Sequence, residues 1–66
     1  MTFGEQIRMY REKAGMSQAD LAKRLGYKSR ATIHKIENGI NGISVEKFTK
    51  LIKVLGIHDI NALLHA

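Results

Sequence analysis

Cysteine is missing from this 66-residue chain, which excludes a disulfide staple and a thiolate zinc site. Tryptophan is missing too, and only two tyrosines and two phenylalanines are present. None of them falls between Lys28 and Glu37, where RNA recognition would call for stacking rings. A membrane-surface helix would carry Trp or Phe on a strongly amphipathic basic segment, and no apolar run approaches the ~20 residues that span a bilayer. No signal-peptide pattern opens the chain, so a cytoplasmic location is expected. Strand patterns, internal repeats and low-complexity tracts are also absent.

Catalytic patterns are equally scarce. A chain of this length buries only about 60% of its unfolded surface, too little to enclose a deep cleft with supporting shells. Its six acids are scattered, and there is no Ser-His-Asp order and no phosphate-binding glycine loop. His58 and His65 are spaced by seven, too wide for a helical ligand pair, and His34 lies in another helical segment. No enzyme activity, metal, cofactor or small-molecule ligand is therefore expected.

What the chain does have is positive charge and helical punctuation. Eleven bases against six acids give a net charge of +5 and a pI near 9.9, which points to an anionic partner. Between Asp20 and Glu37 there are sixteen residues without an acid, and they hold Lys23, Arg24, Lys28, Arg30 and Lys35. A basic block of this kind suits a phosphate-lined groove.

Five helices are expected, giving an all-α fold. Thr2 and Glu5 form a capping box ahead of the stripe Phe3, Ile7, Tyr10 and Ala14. Ser17 and Asp20 form a second box, with Met16 and Leu21 as its hydrophobic staple. Leu21, Ala22 and Leu25 continue that helix, about 17–25, and Gly26 ends it. Ser29 opens a third helix, about 29–38, in which Ile33 and Ile36 are the apolar pair. Ser44 caps a fourth, with Ile43 and Phe48 as its staple and Val45, Phe48, Leu51, Ile52 and Leu55 as its stripe. A fifth runs from about His58 to Leu64. Gly15, Gly26, Gly39 and Gly56 each end a helical pattern, and each is followed by an apolar residue (Met16, Tyr27, Ile40 or Ile57) expected to pack back on the helix just ended.

The second and third helices, joined through a glycine-containing turn with small Ala22 facing inward, have the plan of a helix-turn-helix. With Arg30 as zero and about 100° per residue, Arg30, His34, Asn38, Ala31 and Lys35 occupy an arc of roughly 140°. Ile33 and Ile36 lie opposite. One face is apolar and the other offers donors with a small residue between them, as a major-groove reading face requires. Arg30 is better placed for a base than for mere solubility, whereas Lys35 suits a base or a phosphate equally. Lys23 and Lys28 belong to the basic approach to the phosphates. Lys47, Lys50 and Lys53 drift around the fourth helix as a solvated edge, and Tyr27 suits either the core or a phosphate contact.

The string from Ile7 through Arg11, Gly15, Ser17, Gln18, Leu21, Ala22, Leu25 and Gly26, followed by Thr32-Ile33, Ile36-Glu37-Asn38-Gly39 and Leu51, Val54, Leu55, Gly56, Ile57, resembles the Cro and phage-repressor (Xre-type) helix-turn-helix family. The resemblance spans roughly Phe3 to Leu64. It implies a compact five-helix lambda-repressor-like domain covering residues 1–66 and binding double-stranded DNA. It further implies that Ser29, Arg30, Ala31, His34 and Lys35 face bases, that Gln18, Thr32 and Asn38 meet phosphates, and that Arg11 pairs inward with Glu37. Two positions depart from the family. The turn between Gly26 and Ile33 is one residue longer, and His58 stands where a Ser or Thr cap is usual, with Asp59 as the substitute.

Ile57, Ile60, Leu63 and Leu64 are many apolar groups for a short last helix, and a two-fold dimer through that end is expected. The expected function is a transcriptional repressor or regulator bound to a pseudo-palindromic operator as a homodimer. The alternative is an antitoxin-like or protein-binding module that uses the same fold to hold a protein partner.

Overall fold

Two reciprocal capping boxes start the first two helices in the computed structural model, which describes residues 1–64; His65 lies outside the described residues. Thr2 accepts from the Glu5 amide while Glu5 accepts from the Thr2 amide, and α1 runs Phe3–Lys13. Ser17 and Asp20 repeat the arrangement at 3.0 Å in both directions, opening α2, Gln18–Leu25. Hydrogen bonds from Ser17 hold the Asp20 carboxyl below its ordinary range, its backbone amide being the larger cause. Ser29 caps α3, Arg30–Glu37, and Ser44 caps α4, Val45–Leu55.

Ser29 and Asn38 are thus the caps of α3 rather than residues within it. The longer turn is taken up by Tyr27–Ser29, outside the helix. The last helix, α5, is Ile60–Leu64. His58 precedes it, because the Asp59 carboxylate accepts from the Ala62 amide at 3.1 Å and so marks the start of the turn.

The four helix-ending glycines all have positive φ. After each, the next amide bonds five residues back: Met16 to Arg11, Tyr27 to Ala22, Ile40 to Lys35 and Ile57 to Ile52, at 2.8–3.1 Å. This is the Schellman closure, and it satisfies carbonyls that the helix leaves without partners. The requirement is clearest at Gly26, whose φ of +82° a residue with a β-carbon would adopt only at a cost. Ile40 breaks the expected pattern. Its amide makes the bond, but its side chain stays 67% exposed.

α3 packs against α2 and α1, α2 also meets α4, and α1 meets α5. Ile7, Leu21, Leu25, Ile33, Leu51 and Leu63 are the large side chains fully buried at the centre. Each contributes about 1.5–3 kcal/mol by leaving water. Val45 is a correction to the expected stripe of α4: the first residue of the helix, it is 83% exposed. Gly4 is a close approach that periodicity does not show. A β-carbon there would collide with the Glu37 carbonyl, so the start of α1 lies directly on the end of α3.

Candidate nucleic-acid interface

The candidate interface starts from the split between the two sides of α3. Ile33, Ile36 and Glu37 are buried, whereas Arg30, Ala31, His34 and Lys35 are exposed. Ser29 and Lys28 are exposed just before them, and Lys23 is exposed on α2. A shallow groove brings Ala19, Lys23, Lys28, Ser29 and Arg30 together at the joint of α2 and α3. Charge and exposure therefore coincide along one surface made by α2, the turn and the outer side of α3.

That surface is held by a buried polar cluster beneath it. Arg11 Nε donates to Glu37 Oε2 at 2.7 Å and Arg11 Nη2 to Glu37 Oε1 at 3.2 Å. Arg11 Nη1 also donates to the Met16 carbonyl at 2.9 Å. This fork-on-fork geometry joins α1, the α1–α2 turn and α3, with the two residues only 8% and 6% exposed. The bond to Glu37 raises the Arg11 pKa above its ordinary value, so its charge is constant. The expected inward pair of Arg11 and Glu37 is formed.

Gln18 sits differently from a side chain simply awaiting a phosphate. Its Nε2 donates to Glu37 Oε1 at 3.1 Å, which ties the first residue of α2 into the same cluster. One amide hydrogen remains for an outside acceptor. Asn38, another residue expected at a phosphate, also bonds within the fold. Its Nδ2 donates to the His34 carbonyl at 2.7 Å and lies 3.4 Å from His34 Nδ1. The short bond takes one amide hydrogen, and the other faces the longer contact on an exposed side chain. Thr32 is half-buried at the edge of the face, beside the buried Ile33.

Lys47 is a correction, and one that residue spacing does not reveal. Instead of joining a solvated edge, it is half-buried, donates from Nζ to the Leu25 carbonyl at 2.7 Å, and lies 5.2 Å from the centre of the Tyr27 ring. A cation at a helix C-terminus meets the negative end of its dipole, and here it also meets an aromatic face. α4 thereby fixes the end of α2 and the start of the turn that leads to α3. Tyr27 packs against the core, and burial raises its hydroxyl pKa.

The expected dimer contacts divide. Ile57 and Leu63 are 4% and 1% exposed, because the core of the single chain covers them, and they cannot meet a partner without unfolding it. Ile60 and Leu64 are 39% and 59% exposed. Leu64 also lines a small apolar groove of about 220 Å³ with Phe3, Ile43, Val45 and Phe48.

Among the described residues no cluster of His, Asp or Glu could hold a metal ion, and no helix is long and apolar enough to cross a membrane. Residues 7–59 match a family model described as helix-turn-helix. No curated protein and no solved structure matches the chain.

Proposed function

The chain belongs to the Cro and phage-repressor (Xre-type) helix-turn-helix family, and on that premise we propose that it represses transcription by binding a pseudo-palindromic DNA operator as a homodimer. The observation that carries this reading is the division of α3 into a buried apolar side and an exposed side bearing Arg30, Ala31, His34 and Lys35. A helix of that kind enters a major groove with its outer residues against base edges. Arg30 reads a guanine through O6 and N7, Ser29, Ala31 and Lys35 contact adjacent bases, and His34 offers a further donor. Lys23, Lys28, Thr32 and the free hydrogen of Gln18 hold phosphates, which position the helix without reading sequence.

Dimerisation is proposed through the exposed end of α5, where Ile60 and Leu64 remain uncovered. The protomer measures 28 × 23 × 21 Å, a size at which two copies side by side can present equivalent helices about 34 Å apart, one turn of DNA. A second reading, an antitoxin-like module holding another protein, is favoured by the apolar groove around Val45 and Phe48. Selection of bound duplexes from a random library, followed by sedimentation with the selected duplex, separates these outcomes. The proposal expects a palindromic consensus bound by two protomers. Selection of no consensus would leave the protein-holding reading, and one protomer per single half-site would end the dimer.

A further inference from the structure

The contact between His34 and Asn38, one turn apart on α3, determines what His34 can offer to a ligand. Asn38 Nδ2 lies 2.7 Å from the His34 carbonyl oxygen. That distance identifies the atom as the amide nitrogen, since an amide oxygen there would set two acceptors against each other. The same nitrogen lies 3.4 Å from His34 Nδ1. An amide NH₂ brings only hydrogens to the contact, so Nδ1 meets it as a bare acceptor. A neutral imidazole with a bare Nδ1 carries its hydrogen on Nε2. His34 is exposed, and its Nε2 has no hydrogen-bond partner among the described residues.

We infer that His34 is a specificity-determining residue that donates Nε2–H to the N7 of a purine, and that Asn38 is the positioning residue that keeps the ring in this tautomer. The inference rests on the reading of α3 as the helix that enters the major groove. N7 is the acceptor that adenine and guanine share in that groove, whereas cytosine shows a donor there. Thymine O4 also accepts there, so the donor rejects cytosine, and loss of binding on 7-deaza substitution is what separates purine N7 from thymine O4. Asn38 acts through the ring, by the contact of its amide with Nδ1.

Two measurements test this. In the free protein, at a pH where His34 is neutral, the NMR shifts of its ring nitrogens report the tautomer. The expected result is Nε2–H in the wild type and a mixture in Asn38→Ala. Nδ1–H in the wild type would overturn the assignment whatever the protein does with DNA. In the second, each purine of the selected duplex is replaced in turn by its 7-deaza analogue. One position per half-site should weaken wild-type binding about two- to tenfold, the range of a single hydrogen bond. That loss should vanish in His34→Ala and shrink in Asn38→Ala. Because His34 is exposed, its variant carries the test even if Asn38→Ala frays the end of α3. Equal 7-deaza effects in wild type and His34→Ala, or a difference seen only with methylphosphonate linkages, would remove His34 from base reading. Failure of the wild type to select any duplex would refute the groove reading itself and the purine role with it, leaving the tautomer result standing.

Discussion

The two sides of α3 are made by the same eight residues, and they obey opposite rules. On the inner side every polar group is paired: Glu37 receives two bonds from Arg11 and one from Gln18, and no buried polar side-chain atom among the described residues lacks a partner. On the outer side the donors of Arg30 and Lys35 end in solvent. The inner side fixes the rotation of the helix about its axis, and the outer side inherits its aim from that rotation. Stability and recognition are therefore separable at the level of single residues, although they share one helix.

The largest effect that tests this separation is expected on the inner side. Glu37→Ala strands the Arg11 charge and releases Gln18, and removal of one partner of a buried pair costs about 3–5 kcal/mol. Denaturant unfolding measures it. A loss below about 0.5 kcal/mol would place the pair with ordinary surface ion pairs and erase the contrast between the two sides.

A smaller effect is expected where α4 touches the joint. Lys47→Met keeps the stem of the side chain but removes the charge from the Leu25 carbonyl, for an expected loss of about 1 kcal/mol. Lys47→Arg should retain much of it. Thermal unfolding of the pair of variants checks this, and equal melting temperatures for Met and the wild type would show that the contact holds nothing. The smallest effect belongs to the outer approach. Lys23→Ala should leave unfolding unchanged and weaken all duplexes alike, reducing the slope of log affinity against log salt by about 0.9 for each phosphate it no longer neutralises. An unchanged slope would take Lys23 off the DNA.

Much of this frame is legible from residue types and spacing. Capping boxes at Thr2/Glu5 and Ser17/Asp20 and the four positive-φ glycines are local chemistry, decided within a few residues, and they mark the helix ends to within one or two positions. The buried pair of Arg11 and Glu37 follows from the resemblance to the family rather than from spacing. Contacts between elements are less legible. A helical wheel shows that Val45, Ile57 and Leu63 are apolar, but not which neighbour covers them. Val45 is left bare, while Ile57 and Leu63 are taken into the core. Lys47 reads as one of three periodic lysines because nothing in its own helix points to the Leu25 carbonyl, 22 residues earlier. The contacts of Asn38 with His34 depend on side-chain rotamers, which spacing does not reveal.

The most direct test of the account is Arg30→Ala, measured against every single-base change in the selected operator. Arg30 is exposed in the first turn of α3, at one edge of its outer arc. Its removal should leave unfolding within about 0.5 kcal/mol of the wild type, as for other surface changes. It should abolish about 1–3 kcal/mol of discrimination at one base pair per half-site, a G·C pair, while preferences elsewhere persist. If Arg30→Ala instead weakens every duplex by the same factor, Arg30 holds phosphate, and the outer side of α3 does not read bases in the register assigned to it.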